Sequence, residues 1–184
     1  MTQVMFGKKE AQISVWQLDK ETLGVKSFSL DVKDVQANAF GGWALVVDKG
    51  LEDKLKRLRK GKLPNETGGV LLGSFDQQHR RAYVVDTIPS PPDSEEWPTL
   101  YIRGSAMLAQ EVERVRTATA GNLEYIGEWH SHPKGISCRP SEDDMKVFAW
   151  LTKHMDEEGQ PALMSIVGDK GPRFFLGQML WTGG

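Results

Sequence analysis

The sequence predicts an α/β or α+β domain in which helices enclose a mixed β-sheet. Segments with the alternating pattern of strands are interspersed along the chain with segments whose apolar residues recur at helical spacing. The 184 residues are enough for one domain with a sizeable core. The composition, 39% hydrophobic and 26% charged, is ordinary for a soluble globular protein.

The first part of the chain is predicted to be a β extension or linker over residues 1–40, followed by the main domain over residues 41–184. Residues 11–18 alternate apolar and polar side chains like a strand, and residues 25–32 do so more weakly. The Gly41-Gly42 pair then interrupts the pattern. A further strand is predicted over residues 43–47.

The main domain is predicted to open with an amphipathic helix over residues 50–62. Leu51, Leu55 and Leu58 recur at helical spacing and form its apolar stripe. The basic residues around that stripe are Lys54, Lys56, Arg57, Arg59 and Lys60. A solvated helix surface is the favoured interpretation of this basic run, ahead of a docking patch.

The remaining elements follow from pattern in the same way. Residues 69–75 and 81–88 are predicted to pair as strands through a turn that leaves His79 in solvent. Residues 89–100 form the main irregular segment, where Trp97 and Tyr101 either contact an extended ligand or fold onto the domain. Helices are predicted over residues 105–119 and 141–157, and strands over residues 122–129, 162–168 and 173–180.

Charge and cysteine content narrow the classes of function. The formal net charge is -2, so nothing favours binding to nucleic acid or to an anionic membrane. Cys138 is the only cysteine, so no intrachain disulfide can form. No apolar run has the length of a signal sequence core or a membrane span. These features favour a soluble cytoplasmic protein.

Residues 129–144 concentrate the candidate chemistry. His130 and His132 are two residues apart, a spacing that directs both side chains to one face of a strand. Asp144 lies in the first turn of the next predicted helix, and the loop between them lets the chain fold back. Three ligands of this type suit a catalytic zinc site with one open position. Cys138, in the intervening loop, is the rival fourth ligand.

Two further residues complete the candidate site. Glu66 precedes a Gly-Gly strand and is a candidate general base. The Ser141 hydroxyl is a candidate donor to an oxyanion. Ser141 and the acids at 142–144 are equally typical of a plain helix start, with a capping serine and acids that complement the helix dipole.

These residues together resemble the JAMM (MPN-plus) metallopeptidase motif: Glu66, then His130-Ser-His132-Pro, then Ser141-Glu-Asp-Asp144. Residues 66–73, Glu-Thr-Gly-Gly-Val-Leu-Leu-Gly, resemble the first block of its prokaryotic JAB branch. The resemblance implies an MPN/JAB (cytidine-deaminase-like) fold, an α/β mixed β-sheet sandwiched by helices. It also implies Zn²⁺ held by His130, His132 and Asp144, with Glu66 as general acid/base and Ser141 stabilising the oxyanion.

One departure from the family pattern concerns the loop before Ser141. The family usually has seven residues between the second histidine and the serine, whereas residues 133–140 make eight. A slip of one residue would make Asp143 the ligand in place of Asp144. We expect Asp144, with the extra residue accommodated as a bulge within residues 134–139.

The resemblance further implies an isopeptidase that cuts after the C-terminal glycine of a ubiquitin-like protein, releasing it from a conjugated target or maturing its precursor. Residues 89–101 would form a wall of the groove that holds the glycine-ended tail. A short bacterial chain of this kind suggests a ubiquitin-activating-like enzyme as a partner, including in antiviral (CBASS-type) defence. The alternatives are a metal-free MPN scaffold and a peptidase that processes a sulfur-carrier protein.

Overall fold

The computed structural model describes residues 12–18, 21–22, 24–31, 35–40 and 42–179. The chain divides into two compact units, Met1–Val35 and Gln36–Gly184. In the first unit, β1 (Gln12–Leu18) and β2 (Val25–Asp31) pair as antiparallel strands, as their alternating patterns predict. The predicted boundary between an extension over residues 1–40 and the main domain over residues 41–184 stays a prediction.

From residue 35 onward the described elements are, in chain order, β3 (Val35–Phe40), β4 (Trp43–Asp48), α1 (Lys49–Lys62), β5 (Gly68–Asp76), β6 (Arg81–Pro89), β7 (Glu95–Trp97), β8 (Leu100–Ile102), α2 (Leu108–Ala118), β9 (Glu124–Ser131), α3 (Glu142–Glu157), β10 (Ala162–Gly168) and β11 (Gly171–Gly177). Most of these elements match the sequence prediction to within three residues at each end.

Within the described residues, seven strands form one mixed sheet in the order β11-β10-β9-β5-β6-β4-β3. The pairs β10–β11, β5–β9 and β5–β6 are antiparallel, whereas β9–β10 and β4–β6 are parallel. The centre of the sheet is β9 and its neighbours. The site residues predicted at 130–132 therefore come from a strand that is hydrogen-bonded on both sides.

Helices cover both faces of this sheet. Leu51 and Leu55 of α1 pack in one core cluster with Leu163 of β10. Leu151 of α3 packs in a second cluster with Ala162, the residue next to Leu163. Because neighbouring residues of a strand point to opposite faces, α1 and α3 lie on opposite sides of the sheet. The predicted mixed β-sheet sandwiched by helices is confirmed.

Two elements differ from the prediction. Residues 89–100 were expected to be irregular, but β7 and β8 form an antiparallel hairpin there, with Glu95 opposite Ile102 and Trp97 opposite Leu100. Three-residue strands leave too short a period to be seen in sequence. The strand β3 was also not predicted, although residues 35–40 alternate apolar and polar side chains.

No helix among the described residues is long and apolar enough to cross a membrane. The turn between β5 and β6 leaves His79 exposed, as predicted, with its ring Nδ1 2.7 Å from Oδ2 of Asp76.

Candidate metal centre

The two histidines lie where β9 leaves the centre of the sheet. His130 is paired in register with Gly68 of β5 on one side and Ile166 of β10 on the other. His132 follows the last strand residue, and its N–H still donates to the Val167 carbonyl at 3.1 Å. The ring centroids of His130 and His132 are 5.3 Å apart. The sheet therefore fixes the backbone of both side chains.

Asp144 is brought to the histidines by the start of α3. Ser141 caps the helix: its hydroxyl oxygen accepts from the Asp144 N–H at 3.1 Å, and Asp144 Oδ2 accepts from the Ser141 N–H at 2.7 Å. Asp144 Oδ1 then lies 3.1 Å from His130 Nε2, and Oδ2 lies 3.5 Å from His132 Nε2. One ligand atom from each residue falls within 4.8 Å of the other two.

The donors in this cluster fit a zinc ion. His130 Nε2 is buried, yet its approach to Asp144 lacks hydrogen-bond alignment, and the nitrogen has no hydrogen-bond partner. Burying such an atom unpaired is costly, which a metal ion would relieve. His132 Nδ1 lies 2.6 Å from the Ser137 carbonyl, to which it donates, so Nε2 is left as the ligand atom. Two imidazoles and a carboxylate are typical zinc ligands.

The two rival ligands lie elsewhere. The Asp143 side chain is 88% exposed and pairs with Lys146 at 2.8 Å. Cys138 Sγ lies 3.7 Å from the carbonyl of Gly171, the first residue of β11. Within the described residues, the group that meets is His130, His132 and Asp144.

The charged groups of the cluster shift one another's pKa in opposite directions. Burial acts to raise the pKa of Asp144, but the imidazoles of His130 and His132 and the Ser141 N–H hold it well below its usual range. Contact with Asp144 in turn raises the pKa of His132, against the opposing effect of burial. Asp144 is therefore ionised at neutral pH and supplies the negative charge that a divalent cation requires.

Glu66 lies beside this cluster at the start of β5. Its side chain is 9% exposed, and burial raises the pKa of its carboxyl, while the imidazoles of His130 and His132 oppose the shift. The Glu66 N–H donates to the Trp97 carbonyl of the β7–β8 hairpin at 2.8 Å. A buried carboxyl with a raised pKa can both accept and return a proton.

A cleft of about 680 Å³ opens above these residues. Its lining includes Glu66, His130, His132, Ser141 and Asp144, so every residue of the candidate site reaches one space.

The hairpin and α3 supply the walls of this cleft. Leu100 and Ile102 of the hairpin and Trp150 of α3 line it, and each is about half exposed. Tyr101 lies against Gly68, where a Cβ would collide with its ring, so the glycine lets the hairpin pack on β5. Of the two aromatic residues weighed from sequence, Tyr101 folds down and lines the cleft, whereas Trp97 is 57% exposed.

Comparison with known proteins decides the family. The family described as prokaryotic homologs of the JAB domain matches residues 48–176. The chain belongs to this family. The resemblance seen in the motif is thereby confirmed, and the matched range covers all five residues of the candidate site.

Two relatives of this JAB domain carry the same name. A CD-NTase/cGAS isopeptidase of Enterobacter hormaechei subsp. hoffmannii is 31% identical over 141 residues, which is 76% of each chain. A CD-NTase/cGAS isopeptidase of Escherichia coli is 33% identical over 106 residues, 57% of this chain and 63% of that protein. The family and these names support an isopeptidase-type hydrolase.

A solved structure is also similar. The solution structure of protein DSY2949 from Desulfitobacterium hafniense aligns with a TM-score of 0.46 and 19% identity, covering 71% of this chain and 80% of that one.

Sequence reasoning did not identify two buried residues next to the site of this JAB domain, Arg59 and Ser131. Arg59 was assigned to a solvated basic surface, but it is 7% exposed, so that interpretation is wrong for this residue. Its position could have indicated this, because Arg59 falls four residues after Leu55 on the buried stripe of α1. Ser131, between the two histidines, is also buried, and its Oγ accepts from the Thr67 N–H at 3.0 Å.

Proposed function

We propose that this JAB domain is a zinc-dependent isopeptidase that cuts after the C-terminal glycine of a ubiquitin-like modifier. Its target would be a CD-NTase, the class named in both relatives. The observation that carries the proposal is the meeting of His130, His132 and Asp144 in a cleft that also contains Glu66. A metal ion among these groups would give a bonding partner to His130 Nε2, which has no hydrogen-bond partner, and this favours the enzyme over a metal-free scaffold.

The metal would be held by His130 Nε2, His132 Nε2 and the Asp144 carboxylate, which leaves one position open. Bound zinc supplies Lewis-acid chemistry at neutral pH. The remaining steps fall to the chain itself. Glu66 takes a proton from the attacking water and returns it to the leaving lysine amine, a role suited to a carboxyl whose pKa is raised by burial.

Ser141 can donate a hydrogen bond in addition to capping α3. Its hydroxyl oxygen accepts from the Asp144 N–H as the helix cap, which leaves its hydroxyl proton to donate. Ser141 lines the cleft, so this proton is available to the substrate carbonyl oxygen as negative charge develops there. The capping and catalytic interpretations of Ser141 are therefore compatible.

The walls of the cleft suit an extended glycine-ended tail. Among the described residues β8 pairs only with β7, so we propose that its other edge hydrogen-bonds a substrate strand by β-augmentation. Apolar side chains from β8 and from α3 face each other across the cleft, with Ile102 and Trp150 among them. A tail that ends in glycine would bring its carbonyl to the site without a side chain in the way.

The proposal also assigns a setting. A modifier removed by this enzyme must first be joined to its target, which requires a ubiquitin-activating-like partner. Both relatives are named CD-NTase/cGAS isopeptidases, which supports a CD-NTase as the target, and we expect a cytoplasmic role in antiviral defence.

The test uses a CD-NTase joined through its modifier by an isopeptide bond, both taken from the genome that encodes this chain. Purified zinc-loaded protein should release the intact modifier, with its terminal glycine shown by mass spectrometry. Glu66→Gln should abolish release while the protein still binds zinc, because Gln cannot carry the proton. The matched control is Glu95→Gln, an exposed acid on the β7–β8 hairpin, which should cleave normally.

Three results would count against the proposal. One is a purified protein that takes up no zinc, which would favour the scaffold. Another is cleavage that survives both a chelator and Glu66→Gln. The third is activity confined to a sulfur-carrier precursor, which would keep the chemistry and change the substrate.

A further inference from the structure

Arg59 is a buried cation on the apolar side of α1, where it contacts the backbone of His132. Its side chain is 8% exposed, in a helix whose other basic residues lie partly or fully in solvent. A buried guanidinium is costly unless every donor finds a partner. One partner of Arg59 is the His132 carbonyl, and the other is Asp169, which follows β10.

Two bonds define the position of this guanidinium. Arg59 Nε donates to the His132 carbonyl at 2.9 Å, and Nη2 pairs with Asp169 Oδ1 at 2.7 Å. The second carboxylate oxygen of Asp169 accepts from the Gly135 N–H at 2.8 Å. Arg59 and Asp169 thus form a clamp, the Arg59–Asp169 clamp, on the first residues after β9.

The clamp lies next to the loop that orients the His132 ring. Residues 133–136 form a turn in which the Ile136 N–H donates to the Pro133 carbonyl at 3.3 Å. One residue further, the Ser137 carbonyl accepts from His132 Nδ1 at 2.6 Å. Holding the His132 carbonyl and the Gly135 amide therefore holds the loop that carries the Ser137 carbonyl. That carbonyl fixes which nitrogen of His132 faces the cluster.

We propose that Arg59, through Asp169, is a positioning residue that presets His132 Nε2 as a metal ligand. This inference rests on the zinc site of the proposed function, but not on the identity of the substrate. The forked guanidinium is needed because one group must reach a backbone carbonyl and a carboxylate at once. Arg59 acts through His132 and touches neither metal nor substrate.

Stability alone does not explain a buried ion pair, since apolar replacements of such pairs are often neutral or stabilising. Asp169 is 46% exposed, so its carboxylate stays hydrated when its partner is removed. Arg59→Met leaves the His132 carbonyl without its buried donor, so we expect a measurable loss of stability but a protein that still folds. A positioning role then predicts that the variant keeps its fold but binds the metal more weakly.

The experiment measures metal binding on full-length protein. Apo wild type, Arg59→Met, Asp169→Asn and the exposed control Arg57→Met are titrated with zinc against a chromophoric chelator. Because outer partners of a metal-bound histidine are worth about 10-fold to 100-fold in affinity, both clamp variants should bind zinc more weakly by that factor. Arg57→Met should match wild type. Urea unfolding of the apo forms separates a loss of fold from a loss of affinity.

The visible spectrum of bound Co²⁺ adds a readout that a purely structural role would not move. The clamp variants should show altered ligand-field bands because the His132 ring is no longer held. Unchanged zinc affinity and spectra in both variants would overturn the inference, as would a fall in affinity matched by Arg57→Met. Wild type that binds zinc but cleaves no conjugate would count against the proposed function and leave the clamp standing.

Discussion

Replacement of Asp144 by asparagine distinguishes the two carboxylates between which the sequence could not decide by spacing alone. Asn keeps an oxygen that can accept from the Ser141 N–H, so the cap of α3 survives. It loses the negative charge that lies 3.1 Å and 3.5 Å from the two imidazole nitrogens. The change therefore affects the metal and leaves the helix in place.

The expected size of the effect follows from linkage. At zinc 100 times above the dissociation constant, wild type gains about 2.7 kcal/mol of stability. Loss of one of three ligands should weaken binding by at least about 100-fold, since outer partners alone account for 10-fold to 100-fold. The same zinc concentration then stabilises Asp144→Asn by about 0.4 kcal/mol or less. For a chain of this size the zinc-induced rise in Tm should fall from roughly 5–11 °C to about 1–2 °C.

Calorimetry of apo and zinc-loaded samples measures both numbers. Asp143→Asn is the matched control, because its side chain is 88% exposed and should leave the zinc-induced shift at its wild-type size. A full shift in Asp144→Asn, or a shift lost in Asp143→Asn, would refute the assignment of Asp144 to the metal.

Two other changes test the cleft and the sheet beneath it. Trp150→Ala should raise KM for the conjugate about 10-fold at unchanged kcat, because it removes binding that is equal in the ground state and the transition state. The control is Met145→Ala, since Met145 is exposed on α3 but lies outside the cleft, and it should leave KM unchanged. An unchanged KM would remove α3 from the substrate surface. Thr87→Val leaves the buried Trp129 indole N–H without its 2.7 Å partner and should cost about 1–3 kcal/mol in urea unfolding. Thr87→Ser, which keeps the hydroxyl, should cost less, and equal losses would contradict the role of that bond.

Much of the site could be predicted from sequence because its metal-ligating residues lie close together in the chain. His130 and His132 share a strand end, and Asp144 lies one turn into the next helix, so short spacings predicted that all three meet. Glu66 was proposed from its place before a Gly-Gly strand and then from the family resemblance, since residues on different strands have no local signal that joins them.

What the sequence did not reveal depends on tertiary contacts. Arg59 looked like one of several basic residues on a solvated helix, because no local pattern shows which cation will find a carbonyl and a carboxylate. The β7–β8 hairpin escaped prediction because each strand has only three residues. Its pairing is stabilised by packing on β5, where Gly68 admits the Tyr101 ring.

The hydrogen bond between the Glu66 N–H and the Trp97 carbonyl joins the proposed general acid/base to the β7–β8 hairpin that lines the cleft. A second link runs through Glu96, whose two carboxylate oxygens accept from Thr67 Oγ1 and Lys62 Nζ, each at 2.6 Å. Two hydrogen bonds therefore join the β7–β8 hairpin to the residues just before β5. In the proposed isopeptidase, a substrate tail that displaced the hairpin would therefore also displace the backbone of Glu66, the proposed general acid/base.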